Sequence, residues 1–124
     1  MTCTTYTTED LATWVMRLPG WLDAHETPDT ADAAMITMVY SGFYAELVIR
    51  DLAYWDKATI PEEVFWHIVR VIADKVAVSF GDAAPVEIDI ESGTQVSMGN
   101  KGWKGLKRVK QIEASGLPVQ ATYY

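Results

Sequence analysis

Apolar residues near the start of the chain recur at helical spacing. Four of them fall at i, i+3, i+4 and i+7, on one face of an amphipathic helix: Leu11, Trp14, Val15 and Leu18. Thr7 is a favoured N-cap residue, and Pro19-Gly20 is a stop signal. The pattern therefore predicts a first helix that begins after Thr7 and ends before Pro19.

A second and longer apolar segment follows Thr27-Pro28-Asp29. Proline is tolerated in the first turn of a helix, so these residues predict a helix start. The apolar positions then continue from about residue 30 to about residue 52. Gly42 lies in the middle, where glycine costs about 1 kcal/mol relative to alanine, and it predicts a kink or a close helix approach.

The third helix has the clearest boundaries. Thr59 and Glu62 have the spacing of a capping box, and Gly81 after Phe80 suits a left-handed C-terminal cap. The polar residues between them form one narrow stripe: Glu63, His67, Arg70 and Asp74. Because nearly all other positions are apolar, we expect this helix to be central in its bundle and also packed by a neighbouring subunit.

The period changes after Gly81. Residues Val86–Glu91 alternate strictly between apolar and acidic, which predicts a half-exposed strand that pairs either with residues 94–98 or with an adjacent subunit. Residues 92–102 predict a loop or turn. Residues 103–114 predict a last helix. The fold class is therefore mainly α: a small helical bundle with a short β-strand or hairpin insertion before the C-terminal helix, and an extended C-terminal tail.

Charge divides this single domain of 124 residues into two parts. Residues 1–100 carry 16 acidic and 5 basic side chains, a net charge of −11, and form an acidic helical body. Residues 101–124 carry five basic side chains against Glu113 alone, a net charge of +4, and form a basic C-terminal helix and docking tail.

The candidate chemistry is sparse. Cys3 is the only cysteine, so no disulfide framework or thiolate metal cluster is expected, and the compartment is predicted to be reducing. His25 and His67 lack metal-ligand spacing, and the glycines of 99–105 lack the context of a phosphate-binding loop. Apolar residues 33–49 fall short of the roughly 20 needed to cross a bilayer, which favours a buried helix and a soluble protein. We expect no catalytic, cofactor or metal site and no enzyme activity.

The basic C-terminal segment has three interpretations. It is a solvated helix face, an arm that contacts phosphates without base specificity, or an element that docks on the acidic surface of a like subunit. The predicted partner-binding residues combine its charges with aromatic and apolar anchors: Trp103, Lys104, Lys107, Arg108, Lys110, Leu117, Pro118, Val119, Tyr123 and Tyr124.

The order of these features resembles a known protein family. The shared outline is a short helix, a long helix, an Ile60-Pro61-Glu62 turn, a helix such as Val64–Phe80, a late basic helix at 106–110, and a proline-containing tail that ends in Tyr123-Tyr124. In this outline the chain is similar to the head-to-tail adaptor proteins of tailed bacteriophages, also called head completion or packaged-DNA stabilisation proteins. The resemblance covers most of residues 8–81 and 103–124, and Val86–Glu91 departs from it.

The resemblance implies a virion structural protein in the neck region, present in the host cytoplasm before assembly. Such a protein forms a homo-oligomeric ring of about twelve subunits on the portal and links it to tail or further connector proteins. DNA passes through the channel without sequence-specific binding, and no membrane is involved. The alternative is a small acidic phage-type inhibitor, or DNA mimic, that binds a host nucleic-acid-binding protein.

Overall fold

The computed structural model describes residues 5–23, 25–81, 85–88, 90 and 92–114, with side chains through Val109. Within them, four α-helices and four short strands follow one another: β1 (Thr5–Tyr6), α1 (Thr8–Arg17), α2 (Thr30–Ile49), β2 (Ile60–Pro61), α3 (Glu62–Val76), β3 (Val86–Ile88), β4 (Gln95–Ser97) and α4 (Met98–Ala114). The predicted fold class, a mainly α protein with a hairpin before the last helix, is confirmed.

Helix α1 begins at the predicted place. Thr7 is the N-cap: its side-chain oxygen accepts from the backbone N–H of Asp10 at 3.2 Å, and the Asp10 carboxylate accepts from the Thr7 N–H at 3.0 Å. This reciprocal capping box satisfies two amide donors that a helix N-terminus would otherwise leave unpaired.

Helix α2 runs unbroken for 20 residues and ends at Ile49, slightly before the predicted end near residue 52. Its inner face places four residues in the core: Ile36, Tyr40, Phe43 and Leu47. A Cβ at Gly42 would meet nothing within 4 Å, so the expected close approach does not occur within the described chain. By length and composition alone α2 is apolar enough to cross a bilayer, a test that core helices of soluble proteins also pass.

The N-terminus of α3 differs from the prediction. Pro61 is the N-cap and no side chain caps it, so the expected capping box between Thr59 and Glu62 does not form. Ile60 and Pro61 instead pair antiparallel with Tyr6 and Thr5, which holds the preceding backbone in an extended conformation. The far end follows the prediction more closely, since a short 3-10 helix over Ala77–Phe80 leads into Gly81 at φ +73°.

The alternating segment forms a hairpin within the chain. Strand β3 pairs antiparallel with β4, so the first of the two predicted pairings is confirmed. The backbone N–H of Met98 then donates to the Pro85 carbonyl at 2.9 Å, which ties the start of α4 to the base of the hairpin.

Helix α4 begins at Met98, five residues before the predicted start at Trp103. Met98 and Leu106 are almost fully buried, and α4 packs more extensively on α3 than any other pair of elements packs together. The helical part of the basic segment is therefore integrated into the core.

Helix α3 is central, as predicted. It contacts α1, α2 and α4, and eight of its residues are buried. Those residues are Val64, Phe65, Ile68, Val69, Val71, Ile72, Ala73 and Val76. Whether a neighbouring subunit also packs against α3 stays a prediction.

Candidate functional site

Helix α4 reaches α3 through three glycines. Gly99, Gly102 and Gly105 lie three residues apart, so they share one face of the helix. A Cβ at Gly99 would lie 2.6 Å from the carboxylate oxygen of Asp74, and one at Gly105 would overlap the ring of His67. The glycine face therefore lies directly on the polar stripe of α3, and the side chains that flank it on α4 project to either side.

The first flank forms a groove, here called the histidine groove. It has a volume of about 290 Å³, and its walls include His67, Val96 and Asn100. Four cations from two helices also line it: Arg70 on α3 with Lys101, Lys104 and Arg108 on α4. The α4 cations recur at i, i+3 and i+7, which places all three on one side of that helix.

A carboxylate from the hairpin lies among these cations. Glu87 on β3 accepts from Arg70 Nε at 2.8 Å, and its other oxygen lies 3.8 Å from Lys101 Nζ. Among the described residues Lys104 and Arg108 have no ion pair. The groove therefore carries an excess of positive charge that the described carboxylates do not neutralise.

His67 lies at the centre of this arrangement. Its Nδ1 is buried against Gly105 and has no hydrogen-bond partner in the described part of the chain. Burial lowers the pKa of His67 below its ordinary value of 6.5, and the nearby charges of Arg70 and Arg108 lower it further. The imidazole is therefore neutral at pH 7.

The second flank of α4 forms the tryptophan groove, with a volume of about 480 Å³. Its walls include Glu46, Asn100 and Trp103, together with four cations: Arg50, Lys75, Lys104 and Lys107. The Arg50 guanidinium pairs with Glu46 at 3.2 Å and lies 5.6 Å from the centre of the Trp103 ring. Unlike His67 in the first groove, Trp103 supplies an apolar surface for the cations to stack on.

The two grooves concentrate the positive charge of the whole chain. Together they hold seven of its ten lysines and arginines, with Lys104 in both, against the carboxylates of Glu46 and Glu87. Among the described residues, cations thus outnumber carboxylates at this surface, on a chain whose net charge is −7. We call the surface that comprises both grooves and the exposed side of α4 the basic face.

The structure brings part of the predicted docking set together. Lys104, Lys107 and Arg108 are exposed on α4, whereas Trp103 is half-buried, with its ring 5.3 Å from that of Phe43. Lys110 lies in α4, but its side chain is outside the described residues. The predicted tail residues also lie outside the described residues: Leu117, Pro118, Val119, Tyr123 and Tyr124.

Sequence reasoning missed the contribution of α3 and of the hairpin to this site. The sequence places Arg70 and His67 only on a narrow polar stripe of α3, whereas in the structure α4 covers that stripe. The three-residue spacing of Gly99, Gly102 and Gly105 could have indicated the contact, because it marks one small-residue face of a helix as readily as a loop.

The described residues contain no group of three or more His, Cys, Asp or Glu that could hold a metal ion. Comparison with protein-family models, with curated proteins and with solved structures gave no match.

Proposed function

We propose that this chain is a structural subunit of a phage head-to-tail connector: a non-catalytic adaptor that assembles as a ring on the portal and links it to the tail. It acts in the neck of the virion and is present in the host cytoplasm before assembly. The order of sequence features that resembles this family supports the proposal, and two surfaces of the folded chain add support.

The first surface is an uncharged stripe along the outside of α2. Six exposed residues recur at spacings of three and four, so they share one helix face: Ala31, Ala34, Met38, Gly42, Ala45 and Ile49. Met38 and Ile49 are 68% and 85% exposed. A helix face of small and apolar residues without charge is what the fully buried centre of a subunit interface requires.

The hairpin presents a second exposed apolar surface. Val86, Ile88 and Ile90 are exposed, while Glu87 between them turns inward to Arg70. A strand normally directs its apolar side inward, so this inverted orientation leaves apolar area that a neighbouring subunit would cover.

The packing of α2 favours a protein partner over a bilayer. The side opposite the stripe lies in the core, where the Tyr40 hydroxyl donates to the Lys57 carbonyl at 2.9 Å. A membrane-spanning α2 would have to leave that core and break this bond, whereas packing against another subunit leaves both intact.

The basic face is the proposed docking surface for an acidic partner, such as the portal. Its charge is complementary to acidic protein surface, which guides association and fixes orientation. The tail residues from Leu117 to Tyr124 remain predicted anchors for the same contact.

Three of the described carboxylates favour the adaptor over the acidic-inhibitor alternative. A DNA mimic needs free carboxylates spaced along one face, whereas Asp10 caps α1, Glu46 pairs with Arg50, and Glu87 pairs with Arg70. These three acids stabilise the fold and are not available as phosphate analogues.

A bulky substitution at Gly42 tests the assembly. Because a Cβ there meets nothing within 4 Å, Gly42→Leu should leave the monomer folded and its helix more stable. The leucine side chain should nevertheless prevent close packing of a neighbour on the α2 stripe. Gly42→Ala is the matched control, since it gives a similar gain in helix propensity with little added volume.

Light scattering gives the readout, with the chain alone and with the portal ring encoded in the same genome. The proposal predicts portal-dependent assembly that persists in Gly42→Ala and is lost in Gly42→Leu. If the unaltered chain remains monomeric with the portal, or if both variants assemble equally, the proposal that a ring forms through the α2 stripe is wrong. A chain that ends at Ala114 tests the tail separately, because it retains all the described helices.

A further inference from the structure

We propose that the histidine groove is a phosphate-binding site. The assignment concerns the isolated chain and does not depend on ring assembly. It rests on the composition and size of the groove, on the carboxylate already bound beside it, and on the position of His67.

The donors of the groove match a phosphate group. Arg70 and Arg108 contribute planar guanidinium groups, which bind oxyanions with two parallel N–H donors, and Lys101 and Lys104 contribute point charges from the same side of α4. A phosphate group offers three strong acceptor oxygens and up to two negative charges, so it can satisfy several of these donors at once. A single carboxylate has fewer oxygens and half the charge.

The size of the groove limits the ligand. Its volume of about 290 Å³ lies at the lower limit of small-molecule sites, which are typically about 300 to 1,000 Å³. The groove therefore fits a free phosphate, a small phosphate ester, or one phosphate of a nucleic-acid backbone.

Glu87 shows how the cations accommodate an anion. Its carboxylate bonds to Arg70 at 2.8 Å and approaches Lys101, while Lys104 and Arg108 form no ion pair with any described residue. A bound phosphate would thus be held mainly by Lys104 and Arg108 and would share the other two cations with Glu87. Removal of the Glu87 charge should therefore strengthen binding.

His67 provides an internal reporter of occupancy. The charges that act on it are those of Arg70 on its own helix and Arg108 on α4, while Glu87 of the hairpin pairs with Arg70. An added dianion would offset the cationic field that disfavours imidazolium, so the pKa of His67 should rise when phosphate binds. His25 is exposed and does not line the groove, so its imidazole is the control within the same molecule.

The test is an NMR titration of both imidazoles in the full chain, at constant ionic strength, with and without inorganic phosphate. We expect a saturable rise in the pKa of His67, while phosphate should not move the ring signals of His25 comparably. Arg108→Gln should weaken phosphate binding about tenfold, the loss expected for one charged hydrogen bond. Glu87→Gln should strengthen it severalfold.

Lys107→Gln is the matched control, because it removes the same charge from the same helix but lines only the tryptophan groove. It should change phosphate affinity less than twofold. If Arg108→Gln and Lys107→Gln lowered phosphate affinity equally, binding would reflect general charge attraction and the proposed site would be wrong. The site would also be overturned if phosphate left the pKa of His67 unchanged, or if acetate or glutamate raised that pKa as much as phosphate does.

A short DNA duplex separates the two sources of phosphate. Duplex binding that inorganic phosphate displaces, and that Arg108→Gln weakens, would assign the groove to backbone phosphate. Binding of inorganic phosphate without duplex binding would assign it to a free or small-molecule phosphate. If neither Arg108→Gln nor added inorganic phosphate weakened duplex binding, the proposal would be contradicted.

Discussion

Gly102 of α4 lies so close to the backbone of His67 in α3 that a Cβ at position 102 would be 2.5 Å from the His67 carbonyl oxygen. The same atom would be 2.7 Å from a methyl group of Val71. Backbone cannot move aside as the end of a flexible side chain can. Glycine at this position therefore sets the distance between the two helices that form the histidine groove.

Two glycine-to-alanine substitutions should accordingly have opposite effects on stability. Gly102→Ala should lower the free energy of unfolding by about 1 to 3 kcal/mol, as overpacking does. Gly42→Ala, in an equally helical but open position, should raise it by about 1 kcal/mol. Urea denaturation followed by circular dichroism measures both, and a stabilised Gly102→Ala would contradict the described contact.

Acid should destabilise the protein through His67. Its pKa is lowered in the folded chain, while the unfolded chain has the ordinary value of about 6.5. Below pH of about 6.5 the unfolded state therefore binds more protons, and the free energy of unfolding falls until the pH reaches the lowered pKa. Between about pH 7.5 and about pH 5.5, the free energy of unfolding should therefore fall more for the unaltered chain than for His67→Gln, as measured by urea denaturation at each pH.

The same shift can be tested by removing one of its causes. Arg108→Gln should raise the pKa of His67, because one of the two cations that disfavour imidazolium is lost. The His67 pKa in this variant, read from the imidazole signals without phosphate, should lie closer to the ordinary value than it does in the unaltered chain. An unchanged pKa would mean that Arg108 does not contribute to lowering it.

Tyr40 anchors α2 to the segment that follows it. Its hydroxyl donates to the Lys57 carbonyl at 2.9 Å and accepts from the Trp55 indole N–H at 3.3 Å. Tyr40→Phe leaves both groups without this partner and should cost about 1 to 3 kcal/mol in urea denaturation. Tyr44→Phe is the control, since the Tyr44 hydroxyl makes one hydrogen bond among the described residues, to the Trp55 carbonyl, and its side chain is only half-buried. An equal or larger loss in Tyr44→Phe would argue against the Tyr40 anchor.

Tyr40 also predicts an alkaline limit to stability. Burial raises the pKa of Tyr40 to about 12. The unfolded chain ionises this tyrosine from about pH 10, so its contribution is complete below that pH and is lost as the pH rises toward 12. The stability difference between the unaltered chain and Tyr40→Phe should therefore narrow across this range.

The N-terminal cap of α1 should contribute measurably. Thr7→Ala removes the acceptor for the Asp10 N–H and should lower the free energy of unfolding by about 1 kcal/mol. Thr13→Ala, within the same helix, replaces a residue of lower helix propensity and should change stability by less than about 0.5 kcal/mol. Equal effects in the two variants would contradict a specific role for the cap.

The sequence predicted those elements whose causes are local. The apolar periodicity located α1, α2 and α3, and the alternation of Val86–Glu91 located β3. The expected capping box at Thr59 failed because a distant strand, Thr5–Tyr6, holds Ile60 and Pro61 in extended pairing. The four-residue pattern of a capping box contains no information about this pairing with a distant strand.

The start of α4 and the histidine groove were missed for a shared reason. Glycine has low helix propensity, so residues 98–102 favour a loop when considered alone, yet packing on α3 more than offsets that local cost. The site itself combines Arg70 and Arg108 with the nearby Glu87, and these residues come from three elements that only the tertiary fold brings together.

The central position of α3 has a consequence for synthesis on the ribosome. Helices α1 and α2 leave the ribosome first, but the core that they share with α3 cannot close until Val76 has also emerged. During that interval both the inner face of α2 and its outer stripe are accessible to other chains. Nascent chains on the same mRNA can therefore associate through the inner face of α2, which belongs in the core. Rapid completion of α3 covers that face and so protects the folded monomer.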